Sequence, residues 1–409
     1  MIVSRRELLG AAALASLPAG QSQAQQRQAA IKIGVLTDLS GPYRDITGQT
    51  SIVCVEQAVS DVHGSKDFEV QVISADHKND PRRGVGIVRQ WFDGEGVDAI
   101  ADCPNSAVAL AVSDVCREKD KVLLTGSATA IALTGQKCSP NTVVWSFDTY
   151  TAAKSTGGAA VKSGNETWYF ITANYIFGHS LEEQTAKVVT DSGGKVLGQS
   201  RYPFPETYDF ARYLQEAARS GAKVLGLANS GTDTLNCISQ AYELGLPRLG
   251  NRIAPLQMFI TDVHALGSPH ADGLNVTETF YWNLNDRTRA FTNRVRPRTP
   301  NNIPNTFHAS TYAIALHYLK AVGAMGPAEA KKSGAAAVAR MKQTPTDDDA
   351  FGQGSIRENG RGLFPAYLFE VKPPQQGEGP WDLYKPVTTT RAEEAVMPLD
   401  QTGCKIARA

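Results

Sequence analysis

Short apolar runs of strand length alternate with segments of helical period along most of this chain, and no other feature constrains its fold as strongly. Ile31–Thr37 is such a run, and a turn at Ser40-Gly41-Pro42 separates it from Ile52, Val55, Val59 and Val62 at helical spacing. Phe68–Ser74, Val97–Ala101 and Val122–Thr125 read as further strands, with helices expected over Pro81–Phe92 and Ser106–Arg117. A second series begins after Thr142–Phe147. Its strands are Thr167–Thr172, one beginning at Lys195–Gly198, Val224–Ala228 and Gln257–Thr261. Its helices cover Phe177–Ser192, Phe210–Ser220 and Thr232–Leu244, the first closed by Gly193 in a left-handed cap. This alternation predicts parallel sheets covered by helices on both faces, here as two α/β units in tandem. Helices then dominate over Asp286–Arg296, Phe307–Met325 and Pro327–Met341, before a strand at Ala366–Val371. From Pro373 onward the chain is rich in Pro and Gly, and Trp381 and Tyr384 are apolar anchors that should hold it against a lobe.

The first residues do not belong to this rhythm. A basic start, Met1–Arg6, precedes the apolar stretch Leu8–Leu17, a break at Pro18 and small residues at Ser22-Gln23-Ala24. That is the tripartite pattern of an export signal over residues 1–24, so the mature protein is expected in the periplasm. Ser4-Arg5-Arg6-Glu7-Leu8-Leu9 resembles a twin-arginine signal and leaves open which export route is used. The apolar stretch falls short of the ~20 residues a membrane span requires, so the mature chain is not expected to be membrane-embedded. Lys and Arg together number 41 and Asp and Glu 41, a balance that gives no reason to expect nucleic acid as a partner. No P-loop, nucleophile-elbow, zinc-protease or dinucleotide fingerprint occurs, which argues against an enzyme. His77, His179 and His264 stand alone, and no Cys pair has C-x-x-C spacing, so neither metal nor cofactor is expected.

Ligands of open parallel sheets bind outside the carboxyl ends of the strands. The turns that follow the predicted strands therefore supply the candidate ligand residues. These are Tyr43, Asn105, Ser106, Ser127, Ala128, Thr129, Tyr175, Phe177, Asn229, Ser230 and Asp262, with Phe307 at the start of a later helix. A helix beginning near Ser106 offers unpaired N–H groups and the positive end of its dipole, and the hydroxyls of Ser106, Ser127 and Thr129 add neutral donors, a combination suited to a carboxylate. Tyr43, Tyr175, Phe177 and Phe307 would form apolar walls. Asp262 could pair with a ligand ammonium. Helix capping accounts equally well for Ser106 and Asp262, and turn chemistry for Ser127 and Thr129.

These turns resemble those of the branched-chain amino-acid-binding family of ABC-importer receptors. Gly34–Tyr43 (G-V-L-T-D-L-S-G-P-Y) is similar to the family's first strand and turn. Pro104-Asn105-Ser106 stands at its Gly-Pro-x-x-Ser loop, where Asp102 replaces the usual Gly, and Tyr175-Ile176-Phe177-Gly178 at its Tyr-x-x-Gly turn. Phe259–Gly267, Phe280–Asp286 and Pro380–Lys385 resemble a proteobacterial subgroup. The resemblance implies a type I periplasmic binding fold: α/β, with two Rossmann-like lobes of parallel sheet joined by a three-crossing hinge. It implies a first lobe of residues 31–148 and 283–355, a second of 149–282 and 356–372, and a tail, 373–409, packed on one of them. The chain would cross near Phe147–Tyr150, Tyr281–Asn283 and Ser355–Arg361. A small carboxylate-bearing solute, either an amino acid or an aromatic acid, would be captured between the lobes and delivered to ABC permease subunits in the inner membrane. A periplasmic ligand sensor of the same fold is the alternative, and an enzyme ranks below both. Subgroup positions also favour a Cys138–Cys404 disulfide, with Cys54–Cys103 the next candidate.

Overall fold

The computed structural model describes residues 30–63, 68–161, 167–299 and 301–406; the export-signal segment, residues 1–24, lies outside them. Strands β1 (Ile31–Thr37), β2 (Val70–Asp76), β3 (Ala99–Asp102), β4 (Val122–Thr125) and β5 (Thr142–Val144) form one parallel sheet in the order β2-β1-β3-β4-β5. Strands β6 (Thr167–Ala173), β7 (Lys195–Tyr202), β8 (Val224–Ala228) and β9 (Arg252–Pro255) form a second, ordered β7-β6-β8-β9. The molecule is thus α/β, with a parallel sheet in each of two lobes.

Burial explains the near-continuous apolar strands. One face of the first sheet packs Ile31, Ile33 and Val35 against the helices Gly48–His63 and Thr306–Met325. The other face packs Leu36, Ile100 and Leu123 against Val108, Val112 and Val115 of the helix Ser106–Glu118. A central parallel strand covered on both faces has no solvent side, so it shows no polar alternation. The second sheet has its own apolar layers, one including Ile171, Leu225 and Leu227 and the other Trp168, Phe170 and Val224.

Two expected elements differ. Gln257–Thr261 is not a strand. The strand is Arg252–Pro255, and a helix, Ile260–Leu266, begins where the strand was expected to end. The Asp262 carboxylate accepts from the Phe259 N–H at 3.0 Å and fixes that helix start. The helix expected over Pro327–Met341 is two, Pro327–Ala330 and Gly334–Gln343, because Ser333 caps a new start by accepting from the Ala336 N–H.

The strand expected at Ala366–Val371 is present, and the elements around it are ones the periodicity does not show. Strands β10 (Asn275–Glu278), β14 (Ala366–Val371) and β15 (Tyr384–Thr390) form an antiparallel sheet, so the Pro- and Gly-rich tail contributes a strand. Strands β11 (Thr346–Asp348), β12 (Gly352–Ile356) and β13 (Gly362–Leu363) make a smaller one. Phe280, Ile356 and Phe364 pack into the core beneath the first sheet, whereas Val276, Tyr281, Phe369 and Tyr384 pack with the second. Between them Arg361 is fully enclosed. Its guanidinium donates to Asp148 at 2.7 Å, to the Trp145 carbonyl at 2.5 Å and to the Gly362 carbonyl at 2.7 Å.

Cys138 and Cys404 form a disulfide, with their Cα atoms 5.7 Å apart. Cys54 and Cys103 do not pair; both are buried free thiols, as are Cys116 and Cys237. Among the described residues no helix is long and apolar enough to cross a membrane.

Candidate functional site

The carboxyl ends of both parallel sheets lead into one cleft. The turn after β1 is organised by Asp38, which is buried and accepts from the N–H groups of Gly41 (2.7 Å) and Tyr43 (2.9 Å) and from the Asn79 amide (2.7 Å). The Tyr43 ring is thereby carried against the second lobe. Its phenol lies 2.6 Å from that of Tyr175, the residue before the helix Ile176–Asp191. Burial pushes both phenols well above their ordinary pKa, so both are neutral and one donates to the other. Phe204, which follows β7, stacks on both rings, with centroids 5.3 Å and 4.6 Å away.

After β4, Ser127 and Thr129 face the same cleft. The Thr129 hydroxyl donates to Gln257 Oε1 at 3.0 Å, a bond from the first-sheet turn to the segment after β9. The Thr232 N–H and hydroxyl both reach the Pro42 carbonyl, at 3.1 and 2.9 Å. Gly231, with φ +62, permits that approach: a Cβ there would lie 2.3 Å from the same oxygen. Phe307 meets Phe259 with ring centroids 4.4 Å apart, and Phe147 packs edge-on to both.

Tyr43, Ser127, Thr129, Tyr175, Phe177 and Phe307 are therefore brought around one space, together with Ile46, Pro104 and Gln257. The lobes are close enough that only about 10 Å³ remains there for the centre of a water molecule, room for one. By the same measure a hollow of about 560 Å³ lies elsewhere, lined by Tyr150, Lys154, Lys187 and Met397. It is larger, but it is not at the strand ends and has none of the candidate residues.

The remaining candidates lie beside the cleft rather than lining that space, most of them with their side chains occupied. Asn105 caps its helix by accepting from Ala107 and Val108 and donates to Asn79 at 3.2 Å. Ser106 accepts from the Ala130 N–H at 3.2 Å, bracing the turn that carries Thr129. Ala128 is packed into the first-sheet core. Asn229 accepts from Thr234 and donates to the Cys237 sulfur. Ser230 is buried with its hydroxyl unpartnered among the described residues. Asp262 caps its own helix, and burial lifts its carboxyl to about 8, so a protonated acid rather than a counter-ion for an ammonium stands there at neutral pH.

Gln257, Pro104 and Ile46 are lining residues that the sequence reading did not nominate. Gln257 does follow a strand, Arg252–Pro255, but the apolar stretch that begins at Gln257 itself has the strand-like pattern and hides it.

Behind Ser127 stands Asp102, the last residue of β3. Ser127 donates to Asp102 Oδ1 at 2.5 Å and Thr311 reaches the same oxygen at 3.4 Å. The Thr37 and Ser51 hydroxyls are close enough to lower its pKa, yet Oδ2 has no partner in hydrogen-bond geometry among the described residues. Burial dominates and lifts the carboxyl to about 6. Asp102 and Cys103 have φ +73 and +66, the left-handed region that costs an L-residue energy.

A family model described as periplasmic binding protein matches residues 30–378. A periplasmic binding protein from Burkholderia mallei is 39% identical, with TM-score 0.88 over 92% of this chain and 99% of that one. A branched-chain amino acid ABC transporter periplasmic ligand-binding protein from Burkholderia xenovorans LB400 is 32% identical, with TM-score 0.79 over 92% of this chain and 100% of that one. An ABC-transporter solute-binding protein from R. palustris in complex with benzoate shares the fold at 21% identity, with TM-score 0.79 over 92% of this chain and 100% of that one. No curated protein matches the chain. With two parallel-sheet lobes meeting at their strand ends, and a family model spanning both, this chain belongs to the periplasmic binding protein family.

Proposed function

We propose that the space between Tyr43, Thr129, Tyr175, Phe177, Gln257 and Phe307 is the ligand site, and that it captures a small amino acid or aromatic acid in the periplasm for delivery to an ABC permease. The observation that carries this reading is the pair of lobe-to-lobe contacts at the strand ends, Tyr43 to Tyr175 and Thr129 to Gln257. A solute that replaces or bridges those contacts binds both lobes together, and so favours the closed arrangement by its preference for it. Aromatic walls gain by leaving water at ~25 cal/mol per Å², while a few hydroxyl and amide groups fix orientation.

The chain segments at 147–150, 281–283 and 355–361 are the hinge in this proposal, with residues 31–148 and 283–355 moving as one lobe and residues 149–282 and 356–372 as the other. Arg361, bonded to Asp148 and the Trp145 carbonyl, would tie two crossings together. The names of two relatives support the choice of solute: one is called a branched-chain amino acid ABC transporter periplasmic ligand-binding protein and another was solved in complex with benzoate.

The test is thermal melting with leucine, isoleucine, valine, benzoate and 4-hydroxybenzoate, because a ligand of the native state raises the melting temperature. At least one should raise it. Calorimetry with that solute should then show Thr129→Val losing roughly 1–3 kcal/mol of affinity, the worth of a hydrogen bond in a buried site. Unchanged affinity in both Thr129→Val and Phe177→Ala would place the site elsewhere.

A further inference from the structure

We infer that Asp102 is a positioning residue that fixes the hydrogen-bonding sense of the site: it holds the Ser127 hydroxyl as an acceptor, so the bound solute presents a hydrogen-bond donor to Ser127. This rests on the cleft being the ligand site. A serine hydroxyl has one proton and two lone pairs. In the structure that proton is directed at Asp102 Oδ1, 2.5 Å away and enclosed by protein. An ionised carboxylate only accepts, so Ser127 has no proton left for the cleft. Burial sets the Asp102 carboxyl at about 6, which leaves it mostly ionised at neutral pH. A negative charge one residue behind the cleft wall also repels an anion placed against Ser127.

Thr129 has likewise spent its proton, and the donors on that side of the cleft belong to its partner. The Thr129 hydroxyl donates to Gln257 Oε1, so what Gln257 retains for a solute is its amide N–H groups. A carboxylate is served at the Gln257 side, and an ammonium, hydroxyl or amide N–H at the Ser127 side. The class of ligand is therefore a small acid that carries a separate hydrogen-bond donor, rather than a simple carboxylate. Asp102 keeps this arrangement at a position where its backbone is in the left-handed region. Asn tolerates that region as well as Asp does, which makes Asp102→Asn a variant expected to fold.

The experiment uses matched pairs that differ by one donor: leucine against 4-methylpentanoate, and 4-hydroxybenzoate against benzoate. Calorimetry on the full mature protein should show the donor-bearing member of the binding pair held at least about 10-fold more tightly, the weight of one hydrogen bond to a buried partner. Ser127→Ala should bring the two members to within about 2-fold. Asp102→Asn, whose amide lets the Ser127 proton turn to the cleft, should also shrink the ratio, mainly by improving the donor-free acid. A purely structural Asp102 would weaken both members alike and leave the ratio unchanged. Equal binding of a pair by the unaltered protein, or a ratio that survives both substitutions, would overturn the inference while leaving the cleft as the ligand site. Failure of all four solutes, and of isoleucine and valine, to bind would overturn the functional reading and this inference with it.

Discussion

Asp262 and Glu278 show what single buried acids do to this protein. Glu278 accepts from the N–H groups of Ile260 (2.7 Å) and Thr306 (3.1 Å) and from the Tyr384 hydroxyl (3.1 Å). It thus joins three segments that no sequence pattern relates. Burial nonetheless lifts Glu278 to about 7 and Asp262 to about 8, and lifts Asp233 to about 7. Each folded-state value lies above that of the unfolded chain. The folded protein therefore holds more protons across that interval, and stability is lost as pH rises through the folded values. Buried His77 and His308, lowered to about 4 and about 3 by burial, work the other way. Their contribution is lost as pH falls below the ordinary value of 6.5 and is largely complete above it. Between pH 6.5 and 8 the raised carboxyls dominate. The melting temperature should fall across that window, and Glu278→Gln should flatten the decline. A melting temperature that rises from pH 6.5 to 8, or a Gln variant with the same slope, would contradict this.

Among the elements, the start of the helix Ile176–Asp191 depends on Gly178 for a reason unrelated to backbone freedom. A Cβ at that position would lie 2.0 Å from the Ala173 carbonyl oxygen, at the end of β6. The close approach lets the helix begin right after the strand and presents Tyr175 and Phe177 to the cleft. Gly178→Ala should push the turn away from β6. It should cost roughly 1–3 kcal/mol of stability in denaturant unfolding, as overpacking does, and should weaken solute binding by displacing Tyr175. A variant with wild-type stability would show that the turn relaxes freely. Gly193, by contrast, closes the same helix with φ +83. That role was legible in the sequence because a left-handed cap is a local event. The segment around Gln257 was not legible. β9 begins with a solvent-exposed Arg252 and ends at Pro255, whereas Gln257–Thr261 is the more apolar stretch.

At the scale of the molecule, the C-terminal tail is fastened at both ends. β15 pairs with β14 beside the second sheet, and further on Cys404 is bonded to Cys138, which lies just before β5 of the first. Between these anchors the Ala395 carbonyl accepts from Thr151 at 2.8 Å and the Met397 carbonyl from Arg357 at 2.9 Å. The disulfide closes a loop with a sequence separation of 266. Losing it should destabilise the protein by roughly 2–5 kcal/mol through the freed unfolded chain. Denaturant unfolding of the Cys138→Ser/Cys404→Ser double variant measures this, and an unchanged midpoint would show that the strand pairing alone holds the tail.

Local chemistry determined which residues line up along strands and helices. Alternating apolar runs specify parallel sheets, and parallel strands deliver their ends to one edge, so Tyr43, Ser127, Thr129, Tyr175 and Phe177 could be named from the sequence as candidates for one cleft. Partners were decided only by the tertiary structure. The helix Thr306–Met325 packs beneath the first sheet although it follows the second in the chain. The acceptor for Thr129 lies 128 residues away at Gln257, and the group that orients Ser127 lies 25 residues earlier at Asp102. Hydroxyl and amide groups can donate or accept. Which one they do depends on the neighbour that packing supplies, and sequence spacing carries no record of that neighbour.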